Sequence, residues 1–127
     1  ILRKMGITGN CYMFEVEMAF LQERRLPTAS ALSKFPEVSR DLAILIDSSC
    51  VSADVLANVS ENAGEHLTDL RIFDVYQGDA IAKSKKSIAL GLTWQHPSRT
   101  LSEDDINIII SKCVNGLQDA FNANLRN

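Results

Sequence analysis

The stretch RIFDVYQGDAIAKSKKSIALGLTW, residues 71–94, holds two apolar runs around a loop with Gly78 and three lysines. The first run, LTDLRIFDVY (67–76), ends on Tyr76. The second, KSIALGLTWQ (86–95), places Ile88, Leu90, Leu92 and Trp94 on one side of a two-residue period. Ser87, Ala89, Gly91 and Thr93 fall on the other side. Successive side chains of a strand point to opposite faces, so this alternation predicts two half-buried strands joined by the lysine-bearing loop. RDLAILID (40–47) alternates in the same way, with Leu42, Ile44 and Ile46 opposed to Asp41, Ala43, Leu45 and Asp47.

Two helices complete the pattern. In SSCVSADVLANVSENAG (48–64), Val55, Leu56, Val59 and Ala63 recur at helical spacing. A serine near its start can cap the unpaired N–H groups, and Gly64 can adopt the left-handed conformation that ends a helix. Residues 98–127 hold the clearest helix, with Ile106, Ile109, Ile110, Cys113, Leu117 and Phe121 in one stripe. Ser102 and Asp105 stand at capping-box spacing, and Glu103, Asp104 and Asp105 suit the positive end of the helix dipole. ANLRN (123–127) supplies a short closing strand.

The order β-α-β-β-α-β predicts an α+β, ferredoxin-like fold: a four-stranded antiparallel sheet with both helices on one face. The other face is then open. By alternation it carries Ala43, Leu45, Ile72, Asp74, Tyr76, Ser87, Ala89, Gly91 and Thr93, with Phe73 and Val75 turned inward.

The N-terminal part differs. CYMFEVEM (11–18) alternates as a strand, and residues 19–36 carry Pro27 and Pro36 in a turn of helix followed by an extended linker. Residues 1–35 hold five Lys/Arg against three Asp/Glu, whereas residues 36–127 hold eight against thirteen. The shift supports a division into 1–35, the end of a preceding module plus linker, and 36–127, the ferredoxin-like domain. The start, ILRKMGITGN, has neither an initiator Met nor the apolar core of a signal peptide, and reads as the interior of a longer protein.

At 46% apolar residues the composition is that of a globular protein. No apolar run approaches the roughly 18 residues of a membrane span, so no membrane partner is expected. Cys11, Cys50 and Cys113 form no C-x-x-C pair and read as reduced, buried thiols of a cytosolic protein. His66 and His96 have no ligands at metal-binding spacing, and phosphate-loop, dinucleotide and nucleophile-elbow motifs are absent from the sequence. These residues predict neither catalysis nor a cofactor for the chain itself.

The open face suggests binding instead. Tyr76 offers a ring on which an unstacked base can lie, and Asp74, on the same face, can accept from the N1–H and N2–H of guanine. Ser87 can donate to or accept from a base edge or a 2′-hydroxyl. Lys83, Lys85 and Lys86, with Arg40 as a further candidate, can hold phosphate without reading sequence. The acidic balance of residues 36–127 argues against general nucleic-acid binding, which rests on positive charge. Contact with RNA is therefore expected to be local and directed at a few bases. Two other classes share the pattern. One is a small-molecule regulatory domain of the ACT type, although the turn DSSCVS lacks the glycine such domains use. The other is a structural interaction module.

The motifs narrow the choice. F-P-x-V-x-R-D-L-A (35–43), F-D-V-Y (73–76), K-K-S (85–87), R-T-L (99–101) and the closing A-N-L-R resemble the anticodon-binding domain that ends the β chain of bacterial phenylalanyl-tRNA synthetases. The resemblance covers residues 35–126. It implies contacts to the anticodon of phenylalanine tRNA from Asp74, Tyr76 and Ser87, and a guanine as the base read. It also implies a parent α2β2 ligase using ATP and Mg²⁺, with catalysis in the α chain. Residues 5–36 resemble the last strand of the preceding β-chain module and its linker, which favours the bacterial β chain over organellar relatives. Parted from its sheet, strand 11–18 is expected to self-associate or to dock on a neighbouring chain.

Overall fold

A computed structural model describes residues 2–9, 11–21 and 32–126. The chain forms two compact units, Ile1–Ala31 and Leu32–Asn127.

In the first unit, short 3-10 turns occupy Leu2–Met5 and Met18–Leu21. The strand expected over 11–18 does not form: residues 11–17 have no regular structure, and Tyr12, Met13 and Phe14 are 88%, 91% and 93% exposed. A strand is stabilised by a ladder partner, and among the described residues none pairs with this segment. The extended linker expected after it falls largely on residues 22–31, outside the described residues.

The second unit follows the expected order: β1 (Val38–Asp47), α1 (Ser52–Asn62), β2 (Leu67–Tyr76), β3 (Lys85–Trp94), α2 (Glu103–Phe121) and β4 (Asn124–Leu125). The strands lie in the order β2-β3-β1-β4, every neighbouring pair antiparallel. This is the ferredoxin-like arrangement, with β3 and β1 central. Leu42, Ile44, Ile46, Ile88, Leu90, Leu92 and Trp94 form the buried sheet face. They pack with Val55, Val59 and Ala63 from the first helical segment and with Ile106, Cys113 and Leu117 from α2. Trp94 is fully buried, and its indole N–H donates to the Ala63 carbonyl at 2.9 Å. Burial of this kind supplies most of the favourable free energy of such a fold.

The ends of the helices show how local chemistry fixes them. The Ser102 hydroxyl accepts from the Asp105 N–H, and the Asp105 carboxylate accepts from the Ser102 N–H, which completes the capping box. Arg99 adds two hydrogen bonds to Asp105, which lie at 2.5 and 3.1 Å. Together these hold the Asp105 carboxyl well below the usual carboxylate range, chiefly through Arg99. At α1 the expected serine cap is not used. Val51 is the cap residue, without a side-chain bond, and Ser49 donates its N–H and hydroxyl to Asp47 in the preceding turn. Gly64 takes the left-handed conformation, with φ at +80°.

The register of β2 departs from simple alternation. Irregularities between Leu67 and Asp69 and between Ile72 and Asp74 each insert one residue into β2. Such a bulge reverses the facing of everything beyond it. Ile72 therefore pairs with Leu90 and packs on the core, not on the open face as expected. Phe73, the inserted residue, and Val75 are 53% and 51% exposed, and neither joins the core. Asp74 and Tyr76 keep the open face because the bulge precedes them.

Candidate nucleic-acid interface

With both helices on one side, the other side of the sheet is a floor built in ranks across three strands. Tyr76, Ser87 and Leu45 form one rank, and Asp74, Ala89 and Ala43 the next. Arg71, Gly91 and Asp41 form the third, and Asp69, Thr93 and Ser39 the fourth. The middle strand, β3, thus contributes only small residues to this face, Ser87, Ala89, Gly91 and Thr93. The Ser39 and Thr93 hydroxyls hydrogen-bond across the last rank at 3.0 Å.

The fold brings three sequence-predicted site residues together. Asp74 and Tyr76 stand in adjacent ranks of β2, and Ser87 lies directly opposite Tyr76 on β3. Tyr76 is 39% exposed, so its ring is reachable but leans on its surroundings. Ser87 is 5% exposed, set low between Tyr76 and Leu45. A ligand therefore meets the tyrosine and the aspartate first and reaches the serine only at the bottom of the site. Gly78 makes room for the ring: a Cβ there would lie 2.5 Å from the Tyr76 hydroxyl.

Sequence reasoning missed Arg126. Its guanidinium lies 5.5 Å from the Tyr76 ring centroid, within the range of a cation–π contact. Its backbone N–H donates to the Ala43 carbonyl at 2.8 Å, which ties the end of the chain to β1. The pairing of β4 with β1 was the available signal, since it carries the residue after Leu125 towards the open face.

The candidate phosphate-holding residues are dispersed. Lys83 stands exposed in the loop and lines a shallow cleft with Gln77, Gly78, Asp79, Ile81 and Ala82. Lys85 faces Asp47 across β3 and β1. Hydrogen bonds from Ser49, and more weakly the charges of Lys85 and Lys86, lower the Asp47 carboxyl. Lys86 lies in register with buried Ile46, and its ammonium donates to the Cys50 carbonyl at 2.5 Å. Arg40 stands on the helix side of the sheet, paired at 2.5 Å with Glu103 in the first turn of α2. The pairing raises the Arg40 guanidinium and lowers the Glu103 carboxyl. Of these four, Lys83 has its charge least engaged and closest in sequence to Tyr76.

The loop and strand ends opposite Tyr76 hold a different cluster. His66 and His96 meet edge to face, with ring centroids 4.2 Å apart, and the Ser98 N–H donates to His96 Nδ1 at 3.0 Å. Partial burial, then His66 and Arg99, push the His96 imidazole below its ordinary value. Among the described residues no group of three or more His, Cys, Asp or Glu side chains could hold a metal ion. No helix among them is long and apolar enough to cross a membrane.

Residues 33–126 match the family model described as the ferredoxin-fold anticodon binding domain. The chain is similar to the phenylalanine–tRNA ligase β subunit of Pseudomonas fluorescens strain Pf-5, with 47% identity over 126 residues. The match covers 99% of this chain and 16% of that protein. It is 45% identical to the β subunit of Pseudomonas putida KT2440 and 40% identical to that of Pseudoalteromonas translucida, over 126 and 124 residues. Those matches cover 99% and 98% of this chain and 16% of each relative, so the chain spans about one sixth of their length. The open face, the fold that leaves it open and these matches agree: the chain belongs to the ferredoxin-fold anticodon binding domain family.

Proposed function

We propose that residues 36–127 read the anticodon of phenylalanine tRNA as part of the β chain of a phenylalanine–tRNA ligase. On this reading residues 1–35 are the end of the preceding β-chain module and its linker. The observation that carries the reading is the meeting of Tyr76, Asp74 and Ser87 on an uncovered sheet face, in a chain of this family. The Tyr76 ring supplies the platform for one unstacked base. The Asp74 carboxylate, exposed one rank away, accepts from the Watson–Crick donors of guanine. Ser87 closes the bottom of the site with a hydroxyl able to donate or accept. Lys83 holds adjacent phosphate. ATP and Mg²⁺ belong to the parent cytoplasmic enzyme, where the α chain of an α2β2 assembly carries out aminoacylation. The domain contributes selection of the tRNA.

Titration of the 127-residue chain with a phenylalanine anticodon stem-loop tests this. Tyr76→Ala is expected to weaken binding by about 1–3 kcal/mol through lost stacking. Asp74→Ala is expected to lower discrimination in favour of guanine more than it lowers total affinity. Equal losses against every first anticodon base would remove Asp74 from base reading. Binding of free phenylalanine without any binding of RNA would replace the anticodon reading with the regulatory one.

A further inference from the structure

The floor does not end at Asp74. In the third rank, Arg71 on β2 and Asp41 on β1 converge over Gly91 from opposite sides. The point where a Cβ on Gly91 would sit is 3.5 Å from Arg71 Nε and 3.6 Å from an Asp41 carboxylate oxygen. Yet the two charges do not pair. Among the described residues Arg71 has one ion pair, a 3.4 Å contact with Asp69, and Asp41 has none. An arginine with 69% of its side chain exposed and an exposed carboxylate thus lie side by side over Gly91, which is itself buried.

We propose that this rank is a second nucleotide subsite, taking the base next to the one held at Tyr76 and Asp74. Given the anticodon reading above, on which this depends, the placement follows from continuity. Gly91 lies two residues along β3 from Ala89, about 6.7 Å at the rise of a strand, a step that one nucleotide of an extended single strand can cover. The chemistry also fits. A nucleobase edge presents donors and acceptors side by side. Arg71 supplies only donors and the Asp41 carboxylate only acceptors, so a base lying over these two side chains can satisfy both at once. The guanidinium plane can in addition stack on the base. The missing side chain at Gly91 lets Arg71 and Asp41 lie close over the sheet, where together they form the platform.

The 127-residue chain, titrated with the same anticodon stem-loop, decides the matter. Arg71→Gln is expected to weaken binding roughly five- to tenfold, the net effect of losing one ordinary hydrogen bond at an exposed site. Arg71→Lys should not restore it, because a point charge lacks the fork and the plane. Asp41→Asn alters an exposed carboxylate with no ion pair among the described residues, so thermal unfolding should change little while RNA binding falls. Removing the neighbouring base from the stem-loop should cost the wild-type chain a similar factor and cost Arg71→Gln almost nothing further. Wild-type affinity in Arg71→Gln or Asp41→Asn, with Tyr76→Ala still impaired, would overturn the second subsite and leave the first intact. Full rescue by Arg71→Lys would overturn it as well, since the contact would then be phosphate and not base. A wild-type chain that fails to bind the stem-loop would overturn the anticodon reading, and the second subsite with it.

Discussion

Tyr76 and Trp94 show how strand position divides two aromatic side chains between recognition and stability. Trp94 occupies an inward position of β3, is fully buried, and spends its one polar group on the Ala63 carbonyl. Truncation to alanine is expected to destabilise the domain by about 3–5 kcal/mol, the range for deleting a core aromatic. Chemical denaturation of Trp94→Ala beside the wild type measures this. In the wild type, blue-shifted tryptophan emission should move red on unfolding. Native emission like that of free tryptophan would count against the register of β3, and so against the open face built on it. Tyr76 has the opposite role: a partly exposed ring, held by the space at Gly78 and faced by Arg126. The two residues belong to neighbouring strands, and the parity of their positions assigns them to opposite faces.

At the scale of the element, the start of α2 concentrates charge. Ser102, Asp105, Arg99, Glu103 and Arg40 join the helix to the preceding loop and to β1. Ser102→Ala removes the cap and is expected to cost about 1 kcal/mol. The pH dependence has a definite sign. Asp105 has its folded pKa lowered, chiefly by Arg99, so the folded state binds fewer protons than the unfolded chain. Its contribution is present above the ordinary carboxylate value and is lost as pH falls through the folded value. Glu103, lowered by Arg40, acts in the same direction. His96 is also lowered, chiefly by burial, so it favours folding at neutral pH and loses that contribution as pH falls below about 6.5. Denaturation midpoints between about pH 2 and pH 7 should therefore decline in two steps. Asp105→Asn should flatten the lower step and leave the upper one. An unchanged acid limb in that variant would remove Asp105 from the account.

At the scale of the molecule, the segment 11–18 presents Tyr12, Met13, Phe14 and Met18 to solvent with no strand to pair with among the described residues. Unpaired apolar extended chain seeks a partner, and we propose that this segment associates with its copy in a second molecule or docks on a neighbouring chain. Sedimentation of residues 1–127 beside residues 36–127 is expected to show concentration-dependent association in the longer chain only. Two monomers at high micromolar concentration would end the idea. The same segment marks how far sequence reading reaches. Alternation in 40–47 and 86–95 and the helical stripe from Ile106 to Phe121 were legible because each element buries one face against the others, so its period records the burial. The capping box was legible because it is a bond between near neighbours. Asp74, Tyr76 and Ser87 were placed on one face by parity alone. Alternation in 11–18 has the same form but no surface to fill within the described residues, so the period there does not become a strand. Ile72 and Phe73 were misplaced because a bulge is decided by how β2 must bend and twist against β3, not by the residues themselves, whereas Val75 keeps the helix side opposite Ile88 but stays half exposed on the edge strand. Only the assembled sheet brings Arg126 to Tyr76, pairs Arg40 with Glu103 and Lys86 with the Cys50 carbonyl, and sets Arg71 against Asp41, since those meetings depend on strands and loops far apart in sequence closing into one surface.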